Sequence, residues 1–509
     1  MIWARMGATS VAAGAPRRSQ RLHDGLWFGA AALSLTGLYV WSYGDCLHAF
    51  FCYDDFWVLA AAAHIHIHSP LDIVQFFMPD IGFLLYRPLS TRVYFYLLKH
   101  VAGYDPTGYH AVQILFSILN ALLVYQIAKR LLGPTVALGV ALIYATAPGH
   151  AISACDNALF TETGTAFWYL LALWAWLALA GLWRVSVTVS CFVLALLASE
   201  HGITLPVVIT LATLLLEPDG GWRRIARQQW PLYLIAAAYA GVKLYYLHYI
   251  LPKTLTIASV AYALAYQLKL EPQFILRHLG QYVGFAFDVA YSPLQSDTYS
   301  LAVGAAFLLL AVVATACVLT QRWTAPPLRM AAFGLGLFII TLGPVLALAT
   351  RVGSYYVGLP AFGLALALVG FVRRLPRARG IALSIVVATM LAVHVFATAT
   401  LVRSSDEFHF FFGFSRAATR WLYTLSLFTG PPGTPQLVRE VIVPATPVTN
   451  RVFTEGEAHK LFLCARYPVQ ASNAIDAVKP LGGRLILHEP LPLPVARANR
   501  WDWLRAACP

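Results

Sequence analysis

RRSQRLHDGLWFGAAALSLTGLYVWSYGDCLHAFFCYDDFW, residues 17–57, decides how the rest of the chain is read. Arg17, Arg18 and Arg21 precede an apolar run from Leu26 to Tyr43, and the acidic pair Asp54-Asp55 follows in an aromatic setting. A helix needs about 20 apolar residues to cross the hydrocarbon core. The run is long for a signal-peptide core and no small-x-small cleavage site follows it, so it reads as a retained first transmembrane helix.

The composition agrees. Of 509 residues, 59% are hydrophobic and 12% charged, whereas soluble domains run at about 45–50% and about 25%. Ten further stretches reach spanning length or approach it, near 109–131, 134–148, 161–181, 184–199, 202–217, 231–250, 299–320, 330–349, 355–372 and 380–402. The expected fold is an all-α polytopic membrane protein of about eleven transmembrane helices. Residues 1–25 form a cytoplasmic tail and 26–402 the membrane domain, with outer loops at 44–109 and 251–298. Residues 274–290 contain Arg277, His278 and Asp288 and read as an amphipathic surface helix. The proline-rich part, 403–509, reads as a small exported α/β domain with strands at 437–444 and 483–490 and a helix near 415–428.

A net charge of +13 would point to nucleic acid in a soluble protein. Here the cations sort by side. With the N-terminus in the cytoplasm, Lys129, Arg130, Arg184, Arg223, Arg224, Arg227, Arg322, Arg329, Arg373, Arg374, Arg377 and Arg379 all fall on the cytoplasmic side, with almost no matching carboxylates. The charge is topological, and no nucleic-acid partner is expected. Asp54, Asp55, Arg87, His150, Asp156, Glu200 and Arg351 fall at the opposite ends, where polar groups near a membrane default to a functional reading. A location in a bacterial inner membrane follows, with the C-terminal part periplasmic.

The first outer loop carries the chemistry. A carboxylate of the Asp54-Asp55 pair would serve as a general base toward a hydroxyl, or would simply cap the helix that begins there. Tyr86-Arg87-Pro88 places an arginine before a proline that suits a helix start. There it would grip a phosphate, or be an ordinary surface residue. His64, His66 and His68 would share a face only in a strand, and no established metal-ligand spacing supports them. Cys155, Cys191 and Cys317 lie in or beside apolar stretches and read as inert; Cys464 and Cys508 are the candidates for a disulfide.

Several blocks, in order, resemble the GT-C superfamily of integral-membrane glycosyltransferases, in particular the protein O-mannosyltransferase branch. They are Asp54-Asp55; YRPLSTRVYFYLLKHVAGYDPTGYHAVQILFSILNALLVYQIAKRLLG (86–133); APGHAISACDNALFTE (147–162); SEHGITLP (199–206); and TRVGSYYVGLPAFGLAL (350–366). The resemblance implies Asp54 as base with Asp55 in support, and Arg87, Arg351 and Tyr355 around a donor phosphate. His150, Asp156 and Glu200 would lie near the same site. Ser199 and Thr350 depart from the family pattern, and no tetratricopeptide period follows residue 403. The activity implied is transfer of a sugar, mannose in that branch, from a polyprenyl-phosphate donor to a protein, lipid or glycan hydroxyl. Aminoarabinose- or arabinose-type transfer to a lipid or surface glycan is the alternative, and a transporter or flippase the non-enzymatic one. A divalent metal is open, with Asp54, Asp156 and Glu200 as candidate ligands; no other cofactor is expected.

Overall fold

The computed structural model describes residues 18–52, 54–78, 85–147, 149–217, 222–250, 267–286, 297–320, 326–349 and 352–373, and in the C-terminal part chiefly 410–426, 440–446, 469–472 and 484–487. Its helices are α1 (Arg18–Tyr43), α2 (Asp55–Ala63), α3 (Tyr94–Ala102), α4 (Pro106–Leu132), α5 (Pro134–Ala145), α6 (His150–Cys155), α7 (Phe160–Ala178), α8 (Gly181–Ala198), α9 (Leu205–Leu216), α10 (Trp222–Tyr245), α11 (Pro272–Phe285), α12 (Asp297–Leu319), α13 (Pro326–Leu346), α14 (Pro360–Val372) and α15 (Phe410–Ser426). Ten of the eleven expected spans coincide with one of these, namely α1, α4, α5, α7–α10 and α12–α14. The eleventh, 380–402, lies outside the described residues apart from isolated positions.

Among the described residues, α4, α8 and α13 are long and apolar enough to cross a membrane, while α5 and α14 are apolar but shorter. Twelve residues of α5 rise only about 18 Å, so this helix falls short of a full crossing. Three described helices thus meet the requirement for crossing a membrane, and the count of eleven spans is an expectation.

Helix ends follow local chemistry. Proline opens α4, α5, α11, α13 and α14, where its missing N–H costs nothing. The Asp105 carboxylate accepts from Thr107 N at 3.0 Å and caps α4. At the cationic end of the bundle the hairpins are tight: α4 turns into α5 through Gly133 and α7 into α8 through Leu179 and Ala180, Gly133 taking φ +84, a conformation glycine accepts without strain. At the other end the connections are long, 44–105, 146–159, 199–204 and 347–359. Function concentrates on such loops.

Two salt bridges mark the cationic end. Lys129 pairs with Asp24 at 3.3 Å and Arg184 with Glu217 at 3.7 Å. Carboxylates therefore do match cations there, contrary to the sequence expectation; Asp24 and Glu217 lie far from their partners in sequence and meet them only when helices pack.

Buried polar side chains bind helix to helix. Gln113 donates to Thr163 Oγ1 at 2.9 Å and to Ser153 O, Asn120 donates to Thr163 O at 2.9 Å, and Trp176 Nε1 and Gln229 Nε2 both donate to Thr213 Oγ1. Each such bond contributes about 0.6 kcal/mol in lipid. α13 and α14 cross with Gly334 and Gly363 against each other's backbone: a Cβ on Gly334 would sit 2.4 Å from Gly363 O. That close approach is the small-residue packing that membrane helices use.

The amphipathic segment appears as α11, packed on α12 with His278 and Tyr282 buried. Leu268, just before it, forms an isolated antiparallel bridge with Leu348 after α13. Residues 251–266 and Asp288 lie outside the described residues. In the C-terminal part, β1 (Glu440–Pro444) is the centre of a parallel sheet ordered β2-β1-β3, with β2 (Val469–Ser472) and β3 (Arg484–Ile486). β1 and β3 fall in the two strands read from sequence and α15 overlaps the expected helix; β2 was missed because VQAS carries little β propensity or alternation. Cys464 and Cys508 lie outside the described residues.

Candidate active site

The acidic pair divides its labour. Asp54 occupies the N-cap position of α2, yet its side chain makes no capping bond, so the bland capping reading fails for it. Asp55 is fully buried. Its carboxylate accepts from Ala158 N at 2.7 Å, Cys52 N at 3.0 Å and Asn157 Nδ2 at 3.4 Å. Asp55 thus fastens the first outer loop to the segment joining α6 and α7.

Asp156 shares that corner, and its carboxylate accepts from the same Ala158 N at 3.0 Å. Burial raises the pKa of both acids, and each is raised further by neighbouring carboxylates. Two backbone amides and one side-chain amide oppose that rise at Asp55.

A covalent bond reinforces the corner: Cys46 and Cys155 form a disulfide, with Cα atoms 5.3 Å apart across 109 residues of sequence. This corrects the reading of Cys155 as inert. Its apolar flanks disguised it, and the end of α1 meets the end of α6 only in the folded chain. Cys191 is a free buried thiol, as expected.

Arg87 precedes Pro88 at the start of a π-helical turn, Pro88–Val93, that runs into α3. Its guanidinium makes a two-point contact with Glu200, Nε to Oε2 at 2.8 Å and Nη2 to Oε1 at 2.7 Å. Burial alone would raise the Glu200 pKa, but Arg87 holds the carboxyl well below the usual range. Glu200 opens the turn Glu200–Thr204 between α8 and α9. The next residue, His201, contacts Glu162 Oε2 through Nδ1 at 3.0 Å, and Glu162 lies in the first turn of α7, four residues past Ala158. Asp55 is thus connected to Arg87 through Ala158, the start of α7, and the Glu162–His201 and Glu200–Arg87 contacts. Sequence reasoning missed Asn157, Glu162 and His201; the TET and SEHG runs at two helix boundaries were the available signal.

Other expected site residues fall elsewhere. His150 is buried with its ring 4.7 Å from that of Tyr144 and 6.4 Å from that of Tyr39. Burial pushes its pKa down to about 4, and its ring packs against tyrosines of α1 and α5. Tyr355 is half-buried, its ring tilted against that of Tyr356 at 4.4 Å, and the Tyr356 ring lies 5.2 Å from that of His201. Arg351 lies outside the described residues. The expected metal set of Asp54, Asp156 and Glu200 does not assemble, because Glu200 is committed to Arg87. Ligand atoms of Cys52, Asp55 and Asp156 do lie within 4.8 Å of one another. Burial raises the Cys52 thiol well above its ordinary pKa, Asp55 is already saturated with donors, and a thiol is a poor partner for oxygen-seeking Mg²⁺ or Mn²⁺. The group does not fit such an ion. His64, His66 and His68 form no such group among the described residues.

No protein-family model matches the chain, and no curated protein matches it. Among solved structures, ArnT from Cupriavidus metallidurans in the apo state is similar at 14% identity and a TM-score of 0.51, over 89% of this chain and 87% of that one. The same protein bound to undecaprenyl phosphate gives 13% identity and a TM-score of 0.48, over 87% and 89%. The Archaeoglobus fulgidus oligosaccharyltransferase tethered with an acceptor peptide gives 14% and 0.45, over 88% and 64%. The chain shares its fold with ArnT over most of both chains.

Proposed function

We propose that the chain is an inverting glycosyltransferase that moves a sugar from a polyprenyl-phosphate donor to a hydroxyl acceptor on the non-cytoplasmic face of the membrane. The reading rests on one observation: Asp55, next to Asp54, is fixed on Ala158 one turn before Glu162, and Glu162 contacts His201 beside the Glu200 that pairs with Arg87, all at the long-loop end of the bundle. The fold it shares with ArnT, a protein also solved with undecaprenyl phosphate bound, supports the donor class.

Asp54 takes the proton from the acceptor hydroxyl. The freed oxygen attacks the anomeric carbon from the face opposite the phosphate, the bond from that carbon to the phosphate oxygen breaks, and the configuration inverts. Charge grows on the departing phosphate; in this reading Arg87 stabilises it, and Tyr355 and Arg351 are the residues expected to assist. Asp55, fixed by three donors, holds its neighbour in place. Two observations favour the non-cytoplasmic side: a disulfide needs an oxidising compartment, and the tight cationic turns lie at the opposite end. In a bacterium this would be the periplasmic face of the inner membrane.

The test is transfer from a radiolabelled polyprenyl-phosphate sugar, mannose first, in membranes carrying the wild-type chain or Asp54→Asn. Label should pass to an acceptor with wild type and not with the variant; its partition into protein, lipid or surface glycan identifies the acceptor. Full transfer by Asp54→Asn refutes the assignment.

A further inference from the structure

Glu162 and His201 are both half-buried at the long-loop end, and the mechanism above uses neither. His201 Nδ1 lies 3.0 Å from Glu162 Oε2, with 11% and 14% of the two side chains exposed. A carboxylate on one imidazole nitrogen fixes the ring and leaves the opposite nitrogen as the working group. That opposite nitrogen, Nε2, makes no hydrogen bond with any described residue.

The placement gives Nε2 its direction of use. His201 is the neighbour of Glu200, which grips Arg87 through two bonds of 2.7 and 2.8 Å. The Ser199 hydroxyl accepts from His201 N at 3.4 Å, so the turn bearing both residues is itself capped. The Tyr356 ring stands at 5.2 Å, carrying the imidazole on an aromatic wall with Tyr282 behind it. Charged groups acting on the ring come from two elements besides its own turn, Glu162 from α7 and Arg87 from the π-helical turn; Lys243 from α10 interacts in turn with Arg87 and Glu200.

Taking Arg87, Lys243 and His201 as cations against Glu200 and Glu162, the cluster holds one positive charge in excess. An anion is the natural complement. Glu200 already takes up two of the Arg87 donors, so an arriving phosphate needs a further donor next to it. We propose that His201, oriented by Glu162, is a second phosphate-binding residue, donating from Nε2 to the phosphate group that the polyprenyl donor carries and that the lipid product retains. This deepens the function proposed above and rests on it. Arg87 supplies the permanent charge, and His201 supplies a directed hydrogen bond on the same turn that holds Arg87. Glu162 is a positioning residue.

Binding of a short-chain polyprenyl phosphate to the purified full-length chain in detergent, followed by calorimetry, tests this without involving Asp54 or an acceptor. His201→Gln should weaken binding about tenfold, the loss expected for one charge-assisted hydrogen bond. His201→Lys should recover most of it, because a cation returns. Glu162→Gln should weaken binding by a smaller factor, and the exposed-loop control His66→Asn not at all. A residue that only packs would lose stability with Gln and Lys alike and leave the affinity of the folded fraction, isolated by size exclusion, at its wild-type value; that result overturns the proposal. If His201→Gln binds as wild type does, the donor class survives and the role of His201 is refuted. If wild type does not bind the lipid phosphate at all, both fail.

Discussion

Arg87 and Glu200, 113 residues apart in sequence, meet in a two-point ion pair with 10% and 23% of their side chains exposed. A planar guanidinium facing a carboxylate in this way is both strong and directional. It closes the first outer loop onto the α8–α9 turn. It also means that the arginine most apt for phosphate is already oriented, and partly neutralised, by a residue of the same site.

Breaking that pair from either side leaves a partly buried charge alone. Glu200→Gln should therefore lower stability by about 3 kcal/mol, the cost of stranding a buried partner. Thermal unfolding of the purified protein in detergent measures it. Arg87→Lys should fall between wild type and the Gln variant, since an ammonium cannot reproduce the fork. Equal midpoints for all three proteins would mean the pair does not form.

The two aspartates should separate cleanly. Asp54→Asn is expected to keep the thermal midpoint and lose transfer. Asp55→Asn should lose about 2 kcal/mol of stability, because the neutral amide answers fewer of the donors from Cys52, Ala158 and Asn157. Thermal midpoints and labelled transfer, measured on both variants, check it; the reverse pattern would reassign the base to Asp55.

Much of the bundle was legible because its signal is local. Apolar runs and flanking cations fix spans by length and charge alone, and they located helices such as α4 and α13 closely. The site was half legible. Asp54, Asp55, Arg87 and Glu200 stood out as polar residues at span ends; the folded chain pairs Arg87 with Glu200 and fixes Asp55 on Ala158, and the role of Asp54 is a proposal. What the sequence hid was pairing: Arg87 with Glu200, Glu162 with His201, Cys46 with Cys155. Each joins residues dozens to more than a hundred positions apart, and no periodicity records which distant groups meet. His150 misled for a related reason, since a histidine at a helix end reads the same whether it faces a substrate or two tyrosines.

The Glu162–His201 contact should leave a pH signature. Burial alone would lower the pKa of His201, but the carboxylates of Glu162 and Glu200 more than reverse it and raise it above 6.5. The folded state then holds the proton more tightly than the unfolded chain. The stabilisation is complete below the unfolded value of 6.5 and is lost as pH rises through the raised one. The gap in thermal midpoint between wild type and Glu162→Gln should be widest in mild acid and shrink with rising pH. A gap that stays constant from about 5.5 to about 8.5, the range histidines sense, rules out a charged pair.

Gly149 gives a purely steric prediction. An added Cβ there would lie 2.5 Å from Ser354 O and 3.3 Å from Gly358 N, backbone atoms of the turn that carries Tyr355 and Tyr356. Neither can move without shifting the turn. Gly149→Ala should cost about 1–3 kcal/mol, the usual penalty of overpacking, whereas Gly139→Ala, with nothing within 4 Å, should be neutral. Thermal midpoints of the two variants decide it.

The disulfide tests the orientation and the site together. Cys46 lies just past α1, and Cys155 adjoins Asp156, so the bond ties the loop bearing Asp54 and Asp55 to the residues that clasp Asp55. If these loops face the oxidising side, a membrane-impermeant maleimide should label neither cysteine in intact cells until mild reductant is added, and should then label both without permeabilisation. Cys46→Ser with Cys155→Ser should lower stability by about 2–5 kcal/mol, the usual loss for a native disulfide. It should also reduce transfer more than reduction of an unrelated surface disulfide would, because the freed segment carries Ala158 away from Asp55. Labelling that requires permeabilised cells would place the loops in the cytoplasm and reverse the assigned topology.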